Sequence, residues 1–453
     1  MRGRDKQSNE FIVASSDLYR CDKSRSLTRI LFSLLVLGHN VSADENNWWE
    51  QHGSFQLDGV VSGTFLDIQE TPFNQALSLK DFAGLSDQNY GLELRPNIEL
   101  DLNACNINLK PRYRTTYLRD QESASPDSEL FMNTALADCR LADSINLKVG
   151  RQRLAWGNSQ FRSPSNPFFA ESVLFNPVYE LIGKEFAVLD YSANFNWKFS
   201  AIANWDESHL DQPANPNYQF IKSYGVKAEY TAQSSQWGGI ISQREAKPLR
   251  VGGFSNYTLN RALLVYGEFS VSKDSNGLLP VAANNNLLPS FEPADTLDKK
   301  YRYSFLAGAN YTFMNGWNGG VEYLHSNEGF SSQQAAAWRD AGAIAISMLN
   351  TEFAAQASAV AVSAIDPLWR QLRQNYLILN LNRTEYRNVF DVAFQNITNL
   401  DDGSNSIAAS VVYHSSDNTE LFLVANANSG GGSKEFERLI SSVVLIGLRF
   451  YTF

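Results

Sequence analysis

Side chains alternate apolar and polar over long stretches, connections alternate short and long, and no run of about 20 apolar residues exists to make a spanning helix. These observations predict an all-β fold: a transmembrane antiparallel β-barrel of about 18 strands with a helical extracellular loop. Composition agrees. Charged residues are 19% and aromatic residues 12% of the 453, while mean hydropathy is −0.29. A chain polar on average still sits in lipid if lipid-facing and water-facing residues take turns.

The first element is a leader. Lys23, Arg25 and Arg29 precede the apolar run Ile30–Leu37, and Val41-Ser42-Ala43 supplies the small residues of a cleavage site, so 1–43 reads as a signal peptide with an over-extended start. The polar stretch 1–22 is long for a leading segment. Losing 1–43 removes seven basic and four acidic residues and leaves 31 against 44, a net charge of −13. That balance excludes nucleic acid, which needs a basic footprint.

The mature chain, 44–453, reads in period two. Leu92, Leu94, Pro96, Ile98, Leu100 and Leu102 share one face; Glu93, Arg95, Asn97, Glu99 and Asp101 share the other. The next segment repeats the pattern, with Ile107, Leu109, Pro111, Tyr113 and Tyr117 against Asn106, Asn108, Lys110, Arg112 and Arg114. Pro96 and Pro111 lack a ladder donor and weaken their strands locally. Strands are expected at 53–66, 89–103, 105–118, 128–140, 143–152, 185–194, 196–206, 220–231, 236–245, 250–258, 261–272, 301–313, 316–326, 374–383, 387–396, 405–415, 419–428 and 438–453. Short turns follow every second strand, and most other connections are long: 153–184, 273–300 and 327–373. That asymmetry puts short turns in the periplasm and long loops outside. A soluble propeller would need repeated four-strand blades, and no such repeat is present.

The last strand ends in Phe453, with Tyr451 before it, as in barrels delivered by the outer-membrane assembly machinery. Arg449 departs from that ending, and a local bulge would restore the facing of Leu448 and Phe450.

Catalysis finds little support. Mature histidines are His52, His209, His325 and His414, scattered along the chain, and no metal spacing, phosphate loop or Gly-x-Ser-x-Gly elbow occurs. No cofactor is implied. A rim histidine, His325, is the only foothold for an enzyme, and such a residue is more often simply solvated.

The interior carries the functional signal. Charges facing lipid cost about 2–4 kcal/mol each near the midplane. Glu93, Arg95, Glu99, Asp101, Lys110, Arg112 and Arg114 are therefore expected to line the lumen, as opposed acid and base ladders that orient polar solutes. The bland reading is mutual neutralisation that fills the barrel. Gly150-Arg151-Gln152-Arg153-Leu154-Ala155-Trp156-Gly157 leads into the loop 158–184, rich in proline and phenylalanine. This loop is expected to fold inward and narrow the pore, with Arg151, Arg153 and Arg162 favouring anionic groups. Equally, the arginines bind lipopolysaccharide phosphates or neighbouring acids. Gln334–Ile365 is Ala-rich and reads as one or two helices within loop 327–373, a plug or lid of the outer mouth or else a helical cap packed on other loops, or a partner surface. Cys105 opens one strand and Cys139 closes its antiparallel neighbour, so a cross-strand disulfide is expected.

Three stretches, the 150–157 octet, Asn399-Leu400-Asp401-Asp402-Gly403-Ser404 and the Gly-rich loop before Glu435-Phe436, resemble outer-membrane porins and export channels of the alginate-export type. The resemblance implies an 18-stranded barrel that passes anionic or sugar-like solutes. It matches no substrate-binding residue individually, and the ending Leu448–Phe453 departs from it.

The leading expectation is an outer-membrane channel for small polar or anionic solutes, saccharides included, surrounded by outer-membrane lipid and lipopolysaccharide. The alternatives are a scaffold barrel whose outer loop binds a partner, and a rim enzyme.

Overall fold

The computed structural model describes residues 51–68, 86–119, 127–169, 176, 178–206, 220–273, 275, 277–281, 288–297, 300–365, 373–431, 434–436 and 440–452. The expected leader and Phe453 lie outside these residues. Phe55–Phe453 form one compact unit.

In chain order the strands are β1 (Gly53–Ile68), β2 (Gln88–Leu102), β3 (Cys105–Leu118), β4 (Asp127–Ala142), β5 (Ile145–Gln152), β6 (Lys184–Ser192), β7 (Trp197–Asp206), β8 (Ser223–Thr231), β9 (Ser235–Arg244), β10 (Leu249–Thr258), β11 (Leu263–Ser272), β12 (Leu278–Val281), β13 (Ser290–Pro293), β14 (Arg302–Thr312), β15 (Asn318–Ser326), β16 (Asn375–Tyr386), β17 (Phe390–Asn399), β18 (Asn405–Ser416), β19 (Thr419–Ser429) and β20 (Ile440–Tyr451). All but β12 and β13 belong to one 18-stranded sheet. Each barrel strand pairs antiparallel with the next, β11 with β14 across the intervening hairpin, and β20 returns to β1 from Asp58↔Tyr451 onward. The sheet therefore closes and leaves no unpaired edge, the condition for strands in lipid.

Every expected strand overlaps one observed. Strands β12 and β13 were not expected: each is four residues long and carries a proline, too short to show alternation. They form a separate hairpin. Loop 327–373, expected to hold one or two helices, contains two. With the short helix α1 (Ala294–Leu297) before them, these are α2 (Ser332–Ser347) and α3 (Ala354–Ile365). Ser331 caps α2 in a reciprocal box with Gln334.

Alternation separates the faces. On β18, Ile407, Val411 and Tyr413 are exposed while Ala408, Ser410 and Val412 are buried. The outward set includes Val226 at 62% exposure, Ile241 at 54% and Ile446 at 52%. An apolar face this extensive is far larger than a water-soluble monomer exposes, so its medium is hydrocarbon. Among the described residues no helix is long and apolar enough to cross a membrane; the strands do so. Outward aromatics cluster toward both ends. Trp197, Tyr230 and Trp237 meet at 4.9–5.4 Å near the short turns. Tyr303, Phe305, Tyr323 and His325 gather near the long loops. Such girdles suit the two membrane interfaces.

Cys105 faces Cys139 in the β3–β4 register, and the two form the expected disulfide. No bulge shifts the facing of Leu448 and Phe450: the β19–β20 register runs unbroken from Thr419↔Phe450 to Ala427↔Ser442. Arg449 and Tyr451 thus face inward, where both contact Glu420. A lumen partner satisfies the charge, so no bulge is needed.

Candidate functional site: the lumen and the segment that crosses it

The described residues between β5 and β6, 153–169, 176 and 178–183, do not stay outside. Gly157, with φ +75°, turns the chain inward, and a Cβ there would collide with the Glu268 carboxylate. A left-handed residue with no room for a side chain must be glycine.

Three attachments follow. The first is polar. Glu268, inward on β11, accepts from the Ser159 N–H at 3.2 Å, from the Ser165 hydroxyl at 2.7 Å and from the Ser163 hydroxyl. Glu322, inward on β15, accepts from the N–H groups of Gln160 at 2.6 Å and Phe161 at 3.2 Å and from the Tyr266 hydroxyl at 2.8 Å. The Gln160 side chain donates to Asn310 and accepts from Asn380, which accepts in turn from Gln395. Phe161 leans on Tyr376, whose hydroxyl donates to Glu435.

The second is apolar. Asn166 accepts from the N–H groups of Phe168 and Phe169, folding them back. Both rings pack on Phe186, with centroids 5.3 and 5.9 Å away, and on Val188, Ile202 and Ile240. Burying each phenylalanine contributes roughly 1.5–3 kcal/mol.

The third attachment lies on the opposite wall. Val178 packs among Val60, Val412, Phe422 and Leu445 of β1 and β18–β20. Its carbonyl accepts from Arg95 of β2 at 2.5 Å. Glu180 accepts from Arg112 of β3 at 2.6 and 3.0 Å and from Asn133 of β4 at 3.0 Å. Burial alone would raise the Glu180 carboxyl. The hydrogen bonds and charge of Arg112, with Arg95 and Asn133 adding to them, outweigh it and hold the group below its ordinary value. The segment thus touches walls on several sides of the barrel and crosses its interior.

The expected ladder residues face inward. Glu93 holds Arg95 at 3.1 Å and Arg114 at 3.3 Å; Arg114 also meets Glu129 at 3.2 Å. Glu99 accepts from Asn108 at 2.8 Å. Asp101 accepts from the Asn103 N–H in the turn, and Lys110 follows its strand's alternation opposite Thr134. The prolines act as expected. The β2–β3 ladder skips from Leu94↔Tyr113 to Ile98↔Leu109, and in the gap the Pro96 and Pro111 carbonyls accept from Arg112.

The three arginines expected together are not together. Arg151 shares its register face with Val149 and Ala187, the outward one, and pairs with Glu185 at 2.9 Å. Arg153 is exposed at the start of the crossing segment. Arg162 is on the tip, where its charge reaches Tyr376. The register corrects the expectation for Arg151. Gly150 precedes it at φ +117°, yet alternation continues through it. His325 lies against Tyr303 and Phe305 in the outer girdle and partners Asn375, to which the Tyr323 hydroxyl also donates.

The sequence reading missed Glu180, Glu268 and Glu322. The last two were visible as inward acids on expected strands, and their neutral partners come from a loop distant in sequence. Glu180 belongs to a loop and carries no periodic signal.

No family model matches the chain, and no curated protein does. Solved structures do. OccK11 (OpdR) of Pseudomonas aeruginosa is 11% identical, covers 89% of this chain and 96% of its own, and has a TM-score of 0.50. OccK5 (OpdH) of the same organism is 9% identical over 89% and 99%, with a TM-score of 0.51. OccAB1 of Acinetobacter baumannii is 11% identical over 91% and 99%, also at 0.51. At such identities the likeness speaks for the fold alone.

Proposed function

We propose that this protein is an outer-membrane channel through which small polar or anionic solutes, saccharides among them, diffuse past a constriction formed by residues 153–169 and 178–183. One observation carries the reading. A closed barrel with an apolar exterior holds a polar segment fastened across its interior at Glu268–Glu322, at Phe186 and at Arg112–Glu180. Eighteen strands enclose more space than wall side chains fill, and on this reading the space beside the segment is the passage. Each strand of the β2–β8 arc carries inward charges; Asp190, for example, takes Lys198 at 3.0 Å and Lys148 at 3.7 Å. Fixed opposed charges orient polar solutes and raise no barrier of one sign.

Kinship with alginate-export-type barrels is part of this reading. Two of its three motifs converge on one cluster beneath the segment's tip: Asn399 donates to Glu435 at 2.6 Å, and Asp402 accepts from the Glu435 N–H. The third motif is the entry to the segment itself. Arg153 and Arg162 supply the anion preference, and Arg151 does not. Reversal potentials across bilayers under a KCl gradient test this. Arg153→Ala with Arg162→Ala should lose anion preference, while Arg151→Ala keeps it. Unchanged selectivity in the double variant rejects the assignment.

A further inference from the structure

Two arginines at the short-turn end stand apart from the paired charges of the lumen. Arg383 and Arg387 both lie over the Tyr386 ring, at 4.9 and 5.5 Å from its centroid. Tyr386 pairs with Phe390 and Arg383 with Val392, positions that continue the outward face of Leu379 and Leu381. Trp317 lies 6.4 Å from Tyr386, and the turn between β14 and β15 offers Phe313 and a fully exposed Met314 beside them. The Arg383 guanidinium lies 3.6–4.0 Å from where a Gly316 Cβ would stand.

Two like charges over one ring repel each other. Among the described residues neither has an ion-pair partner. Asp391 is engaged by His414 at 3.2 Å and accepts from the Glu385 N–H. The backbone is also strained: Glu385, Arg387 and Asn388 have φ of 51°, 54° and 63°. Non-glycine residues in that region carry a cost and concentrate at binding sites. Converging guanidinium groups, an aromatic floor and apolar residues alongside make a receptor for an anion that carries a hydrocarbon chain. Arginine forks match phosphate oxygens in pairs. The whole chain carries −10, so attraction to an anionic lipid has to be local.

We infer that Arg383, Tyr386 and Arg387 bind the phosphate of an anionic glycerophospholipid in the leaflet at the short-turn end, its acyl chain lying along Leu381 and Leu379. This rests on the reading that the barrel spans a membrane, and it is independent of what the lumen passes.

Native mass spectrometry of the full chain in detergent tests it, with phosphatidylglycerol, phosphatidylcholine and lipid A added separately. The unaltered chain should retain phosphatidylglycerol best. Arg383→Gln with Arg387→Gln should weaken that retention at least about tenfold, as expected for two lost basic contacts. Arg383→Lys with Arg387→Lys, which keeps charge but loses the fork, should fall between. Equal retention by the unaltered and glutamine chains overturns the site. Arginine-dependent retention of lipid A in preference to phosphatidylglycerol overturns the assigned ligand. KCl conductance of the glutamine variant should match the unaltered chain. Its absence in both would strike the channel reading, while lipid retention judges this site separately.

Discussion

Arg112 shows how a single side chain organises the lumen. Its guanidinium is 1% exposed and bonds Glu180, Asn97 and the carbonyls of Pro96 and Pro111. A buried charge is tolerable only when paired and hydrogen-bonded, and this one is both. Replacing Glu180 by Gln leaves Arg112 without its counter-charge, at a cost of about 1–3 kcal/mol. Hydrogen exchange should rise at 178–182 while the barrel strands keep their protection. Exchange confined to other regions would contradict this role. The pH dependence has a definite sign. A carboxyl held below its ordinary value stabilises the docked segment above the unfolded-state value and loses that contribution as pH falls through its own lowered one. The Glu180 attachment should therefore persist across neutral and mildly acid pH and fail only below the usual glutamate range. At Gly157, alanine meets both the left-handed backbone and the Glu268 carboxylate. It should cost about 1–3 kcal/mol and release the tip, read as new protease cleavage after Arg162. Period two made Arg112 legible as an inward residue. Its partner was not legible, because loop residues obey no period.

At the scale of elements, strands were easier to read than what joins them. Alternation over ten or more residues repeats a signal many times, so β2, β3 and β14 stand out in the sequence. Hairpin β12–β13 offers four residues a side and none of that repetition. The helices were legible from composition, and their packing was not. Trp338 donates to the Ala364 carbonyl at 3.0 Å, and Ala335, Ala345, Ala357 and Ala361 let α2 and α3 approach closely. Trp338 also packs on Leu279, Ala294 and Phe330. Trp338→Ala should cost about 3–5 kcal/mol locally, seen as faster exchange over 332–365 with barrel protection unchanged. Loss of the whole barrel would show that the helices support it. The disulfide joins strands that the ladder already pairs. Replacing Cys105 and Cys139 by Ser should lower stability by no more than about 2–4 kcal/mol and leave a closed barrel in heat-modifiability gels.

The whole molecule is governed by one inversion: its outer face is apolar, and most of its charged side chains lie inside. Closure from β20 to β1 follows because lipid offers no partner to an open edge. That inversion was legible in the sequence, where apolar alternation runs over the mature chain with connections alternately short and long and no blade repeat. The sequence did not reveal that the crossing segment would be fastened on several sides, because that depends on contacts between distant strands such as Glu268 and Arg112. A channel with an internal constriction makes the most direct claim open to measurement: the size of a single-channel current step in planar bilayers. The intact chain should give discrete steps, and a chain lacking 159–180 should give larger ones. Silent bilayers with both proteins, or steps of equal size, would contradict the account.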